Sequence, residues 1–168
     1  MKAKLIVAGR EFPIEIQDPE LEKLLKPKKK TGYERVDKDI RYYFADNDGC
    51  VYSLPDSKDQ NDDKNYITAN YYSDLTVAEN NARADKLMRQ LRRFAIEHRK
   101  NDIDWQDIDQ YKYYIMYNYN TSTLISNYNQ SYRGHGGIYF DSINTAELAI
   151  KVFHDELIWY FTEYKDSL

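Results

Sequence analysis

The chain has 168 residues, 42% hydrophobic and 31% charged, which suits one domain or two small lobes sharing a core. Aromatics at 15%, including 17 tyrosines, exclude a disordered chain, and a single cysteine excludes an intrachain disulfide. The net charge of −4 argues against whole-molecule attraction to nucleic acid, and no run nears the roughly 18 apolar residues of a membrane span.

Residues 2–16 read as a β-hairpin. Leu5-Ile6-Val7 forms one arm, Phe12-Pro13-Ile14-Glu15-Ile16 the other, and Ala8-Gly9-Arg10 the turn. The first apolar run is too short for a signal peptide and has strand character. Asp18-Pro19-Glu20 starts a short helix: Asp18 caps it, Pro19 suits the first helical position, and Glu20 favours the positive end of the dipole. Pro27 ends that helix, and Lys28, Lys29 and Lys30 follow as a basic link.

Residues 33–36 are extended. Residues 41–53 form a second hairpin, with Tyr42-Tyr43-Phe44 and Cys50-Val51-Tyr52 flanking the turn Asp46-Asn47-Asp48-Gly49. Residues 54–64, polar and acidic, read as a loop. A long helix opens near Thr76, where Thr76-Val77-Ala78-Glu79 matches a capping box, and runs to about Arg99. Ala84, Leu87, Met88, Leu91, Phe94 and Ala95 recur along it at helical spacing. Residues 101–110 are acidic, with Ile103, Trp105 and Ile108 interleaved. Residues 111–127 make a third hairpin, rich in tyrosine and β-branched residues. Gly134-His135-Gly136-Gly137 then turns into Ile138-Tyr139-Phe140, and a last helix covers residues 144–164.

The expected fold is α+β: small antiparallel hairpins, each packed under a helix. Residues 1–36 give an N-terminal hairpin plus short helix, 37–100 a first hairpin-helix unit, and 101–168 a second. The two units share a plan. Asn70-Tyr71-Tyr72-Ser73-Asp74-Leu75-Thr76-Val77-Ala78-Glu79 aligns with Ile138-Tyr139-Phe140-Asp141-Ser142-Ile143-Asn144-Thr145-Ala146-Glu147, which points to one ββ(β)α unit used twice.

No catalytic constellation is readable, so an enzyme is not expected. His98, His135 and His154 stand at no metal-ligand spacing, and Cys50, inside a predicted strand, reads as a buried inert thiol. Asp59-Gln60-Asn61-Asp62-Asp63 begins like a calcium loop but places Lys64 and Asn70 where Gly and Glu are needed. The acids of residues 102–109 also lack that glycine and closing Glu. Both runs read as solvated acidic loops, with no metal and no cofactor. Residues 133–137 lead into a strand rather than a helix, which favours a hairpin turn over a phosphate cradle.

Three surfaces suit a partner. Lys86, Arg89, Arg93 and Lys100 fall on one stripe of the long helix, away from the Leu87, Leu91 and Phe94 face, and could meet phosphates or carboxylates. On the last helix, Leu148, Val152 and Trp159 form a second apolar stripe, opposite that of Ala146, Ile150, Phe153, Leu157 and Phe161. It would be covered by the N-terminal hairpin or present an interface, a homodimer included. The acidic loops are the third, with Asp56, Asp59, Asp62 and Asp63 in one and Asp102, Asp104, Asp107 and Asp109 in the other.

Lys29-Lys30-Thr31-Gly32-Tyr33-Glu34-Arg35-Val36, followed by Tyr42-Tyr43-Phe44 and Asp46-Asn47-Asp48-Gly49, resembles small accessory proteins of Gram-positive phages and prophages. So do residues 89–94 and Gly137-Ile138-Tyr139-Phe140 with its following helix. That group includes anti-CRISPR proteins. The resemblance implies a counter-defence protein that binds a bacterial defence protein, namely a type II CRISPR effector nuclease or its guide-RNA complex, in the cytoplasm of the bacterial host. Acidic loops would occupy the basic nucleic-acid channel of such an enzyme. The alternatives are a nucleic-acid-binding accessory protein using the basic helix and stacking tyrosines, and a structural phage protein assembling through Trp159.

Overall fold

A computed structural model describes residues 2–7, 9–20 and 29–168, and the chain divides into two units, 1–30 and 31–168. In the first unit β1 (Lys2–Val7) pairs antiparallel with β2 (Arg10–Glu15), with Leu5 opposite Phe12. Gly9 takes φ +77° in the connection, a conformation glycine adopts without steric cost. The Lys4 ammonium donates to Glu11 across the strands at 2.6 Å. The Glu20 amide donates to the Asp18 carboxylate at 2.8 Å, the bond expected of a cap. Ala8, Pro27 and Lys28, read above as turn, helix end and basic link, lie outside the described residues.

The second unit opens with β3 (Arg41–Ala45) and β4 (Val51–Pro55), joined by the expected turn, in which the Gly49 amide donates to the Asp46 carbonyl at 2.9 Å. Two short-range signals then differ from expectation. Residues 54–64 are not all loop, because α1 (Gln60–Ile67) begins inside them. Asp59 accepts from the amides of Asn61 and Asp62, and the Asp62 carboxylate accepts from the Asp59 amide. The long helix α2 (Leu75–Glu97) is capped by Asp74, which accepts from the Val77 amide at 3.0 Å, so Thr76 lies inside its first turn.

The third hairpin spans β5 (Lys112–Asn118) and β6 (Thr123–Asn129), two residues beyond its predicted end. Ile138-Tyr139-Phe140 makes one bridge, Phe140 to Tyr113, instead of a strand. The last helix is two helices, α3 (Ile143–Val152) and α4 (His154–Thr162). Phe153 separates them with φ −109° and ψ 21°, its ring set edge-on to Phe94 at 5.5 Å.

The fold is α+β, with two-stranded antiparallel sheets. Leu87, Leu91, Phe94 and Ala95 of α2 pack with Phe140, Ala146, Ala149 and Leu157, and Tyr113, Ile115 and Leu124 bring the third hairpin onto this core. Tyr43 and Val51 bring the second hairpin onto a smaller cluster of Tyr72, Val77 and Ala78. One layout recurs: Tyr43 bridges Tyr72, Tyr113 bridges Phe140, and each bridge stands two residues before a helix cap. The recurrence is one of layout, and nothing in the geometry requires duplication of an ancestral unit.

Residues 31–36 pack within the second unit. The Val36 amide donates to the Tyr71 hydroxyl at 3.2 Å, and the Tyr33 and Tyr72 rings stand 5.2 Å apart.

Candidate functional site

Two acids of the first run, Asp56 and Asp62, are absorbed by the fold. Asp56 is fully buried and accepts from Arg35 Nε at 3.1 Å, the Tyr71 hydroxyl at 2.7 Å, and the Lys58 amide and ammonium at 2.7 and 3.1 Å. Burial alone would raise its pKa, but these donors outweigh burial and hold it well below the ordinary carboxylate range. Asp62 is buried too, and accepts from the Tyr42 hydroxyl at 2.9 Å and the Ser57 amide at 2.8 Å. Tyr42 and Tyr71 stack face to face at 4.0 Å, so two carboxylates and two phenols form one internal network. Asp59 caps α1, and Asp63 pairs with Arg35 at 2.6 Å. The expectation of a solvated acidic loop is therefore corrected at Asp56 and Asp62, while Asp59 and Asp63 stay exposed with their carboxylates tied to the cap and to Arg35. The partners that bury Asp56 and Asp62 are distant in sequence.

The second run differs. Asp102, Asp104, Asp107 and Asp109 are all exposed, yet their backbone is tied down. Asp104 accepts from the Gln106 amide at 2.8 Å, and Asp107 from the amides of Asp109 and Gln110 at 2.9 and 3.2 Å. Gln110 accepts from the Asp104 amide and donates to the Asp102 carbonyl, each at 2.8 Å. Beneath them lies Lys112, fully buried at the start of β5. Its ammonium donates to the Asp107 carbonyl and, at 2.9 Å, to the Gln130 carbonyl. The Trp105 ring lies 5.6 Å from that ammonium and 5.3 Å from the Arg133 guanidinium, edge-on to Tyr139.

The buried lysine thus meets carbonyls, and the loop carboxylates remain turned to solvent. Only Asp102 has an ion-pair partner among the described residues, Arg99 at 3.1 Å, and its side chain stays 89% exposed. Sequence reasoning missed Lys112 as the anchor. The available signal was Trp105, a large ring in a polar run with a lysine opening the next strand.

Lys86, Arg89 and Arg93 line one exposed side of α2 beside the β3–β4 turn, where a shallow groove also takes in Asn47, Asp48 and Gln90. Among the described residues no carboxylate lies within ion-pair reach of Lys86 or Arg89, while Arg93 stands 3.7 Å from Glu97. Lys100 does not share this row. The helix ends at Glu97, His98 stacks on Phe94 at 3.9 Å, and the Lys100 amide donates to Asp141. Arg83 is occupied structurally: it grips Glu156 with two bonds of 2.8 and 3.1 Å and covers Trp159 at 4.0 Å.

The proposed apolar stripe does not form one surface. Leu148 and Val152 are exposed on α3, whereas Trp159 is buried on α4 under Arg83. The break at Phe153 interrupts the spacing that a continuous helix would have carried through to Trp159.

Among the described residues, no helix is long and apolar enough to cross a membrane. The class defined by fold and surfaces is an α+β chain with a pinned acidic loop and a separate basic row. No protein-family model, curated protein or solved structure matches the chain.

Proposed function

We propose that this chain is a phage or prophage counter-defence protein of the anti-CRISPR kind, inhibiting a type II CRISPR effector nuclease by binding it in the host cytoplasm. The sequence resemblance suggests the class. The observation that carries the contact is the pinned acidic loop of residues 102–109. An effector nuclease holds its nucleic acid in a positively charged channel. Four exposed carboxylates on an already ordered loop are complementary to that charge, and ordering in advance lowers the entropy cost of docking. Occupying the channel requires no catalytic group.

The test is DNA cleavage by a guide-loaded type II effector with added protein, comparing the native chain with Asp102→Asn/Asp104→Asn/Asp107→Asn/Asp109→Asn. Asparagine keeps an acceptor oxygen for the turns at Asp104 and Asp107 and removes only charge. The inhibitory concentration should rise at least about tenfold, with an unchanged circular dichroism spectrum. Equal inhibition by both proteins would remove the loop as the contact.

A second reading, direct binding of single-stranded nucleic acid, is favoured by Lys86 and Arg89, which have no ion-pair partner among the described residues and share a groove with Asn47, Asp48 and Gln90. If Lys86, Arg89 and Arg93 each neutralise one phosphate, log affinity should fall with log salt at a slope of about −2. Replacing all three with serine should abolish that slope. An affinity insensitive to salt would exclude the basic row.

A further inference from the structure

We infer that the free edge of β5 at Ile115, together with the apolar cleft beside it, binds an extended peptide segment of a partner protein as an added strand. The inference is independent of the acidic-loop reading.

Backbone alternation supplies the first step. Tyr113 exchanges two bonds with Phe140, at 3.0 and 2.8 Å, so alternate residues of β5 face that side and the residues between them face β6. Ile115 and Tyr117 therefore direct their amides and carbonyls to the Phe140 side. Among the described residues nothing bonds to them there.

The β3–β4 hairpin shows what fits such an edge. Tyr43 exchanges two bonds with Tyr72, at 2.8 and 2.9 Å, and the next residue facing that edge is Ala45. The Ala45 amide donates to Asn70 Oδ1 at 2.8 Å, and Asn70 Nδ2 donates back to the Ala45 carbonyl at 2.8 Å. A side-chain amide, two residues before the bridge, stands in for a neighbouring strand. For the β5–β6 hairpin the position two residues before the bridge is Ile138, which has no polar side-chain atom to offer.

A cleft of about 190 Å³ occupies that place instead, with Met88, Leu91, Leu157 and Phe161 among its walls and no charged side chain in its lining. Gly136 and Gly137 contribute backbone to the lining, with the Tyr139 ring against Gly137. The volume falls below the roughly 300 Å³ lower bound of typical small-molecule sites and suits one large side chain. A residue paired with Ile115 would direct its side chain to the same sheet face as Ile115, which packs toward the α2 and α4 core. The chemistry called for is thus a backbone amide presenting donor and acceptor to Ile115, with an uncharged apolar side chain attached. An extended segment added to a sheet edge supplies both.

The test uses the ¹⁵N-labelled full chain and five blocked peptides, acetyl-Thr-Thr-X-Thr-Thr-amide, with X as Leu, Ile, Phe, Tyr or Trp. At least one should shift the Ile115 and Tyr117 amide resonances and slow their exchange. N-methylation at X removes the donor to Ile115 and should weaken that peptide about tenfold. Ile138→Asn should weaken it similarly, by closing the edge as Asn70 does. The proposal is overturned if none of the five moves Ile115 at millimolar concentration, or if the N-methylated peptide binds equally well. Concentration-dependent protection of Ile115 without peptide would also overturn it, assigning the edge to a second copy of this chain.

Discussion

Replacing Asp56 with alanine should destabilise the unit of residues 31–168 by about 3–5 kcal/mol, the cost of breaking a buried charge pair from one side. The Asp56 carboxylate joins Arg35 of the entering segment, Lys58 and Tyr71. Its loss leaves the Tyr71 hydroxyl proton without its acceptor in a buried stack with Tyr42, and leaves Arg35 paired with Asp63 alone. The same carboxylate sets an acid limit. Its folded pKa lies below its unfolded one, so its stabilisation is complete above the ordinary carboxylate range and disappears as pH falls through the folded value. Glu34 acts in the same sense: the Thr31 amide and hydroxyl hold it at about 2. Urea midpoints should therefore stay level from pH 7 to about 5 and fall steadily below about 4. Asp56→Ala should flatten part of that fall. A loss below about 1 kcal/mol on substitution would show that Asp56 does not organise the unit.

Lys112→Met should cost about 1.5–3 kcal/mol, the range for hydrogen bonds to a charged group, and its effect should concentrate in residues 102–110. Methionine keeps an unbranched stem in the buried space but cannot bond the Asp107 and Gln130 carbonyls. The Asx turns at Asp104 and Asp107 are local, and the bonds of Lys112 tie the loop that carries them to β5. Amide exchange at Asp109 and Gln110 should accelerate about tenfold or more, ahead of any change in the core of α2. If exchange in the loop is unaltered, the buried lysine is not its anchor, and pre-organisation of the acidic surface loses its physical basis.

The hairpins were legible in the sequence because their signals are local. Asp46-Asn47-Asp48-Gly49 specifies a turn, and alternation around it specifies the strands. The α2 core face was equally plain from the spacing of Leu87, Leu91 and Phe94. Helix α1 was hidden because its one buried residue is Asp62, so it has no apolar stripe, and its capping box uses Asp where Glu or Gln is the usual signal. The break at Phe153 carries no glycine or proline to mark it. The roles of the acids were illegible for a different reason. Asp56 and Asp102 look alike in sequence, and what separates them is Arg35, 21 residues from Asp56 and brought to it only by the fold. The open edge at Ile115 likewise becomes visible only when Ile138 is compared with Asn70 in place.

The most direct test of the central claim is a binding isotherm between this protein and a guide-loaded type II effector nuclease, measured with and without target DNA. The expected result is a complex that target DNA displaces, with affinity reduced at least about tenfold in Asp102→Asn/Asp104→Asn/Asp107→Asn/Asp109→Asn. Absence of a complex, or a complex indifferent both to target DNA and to the four charges, would contradict it.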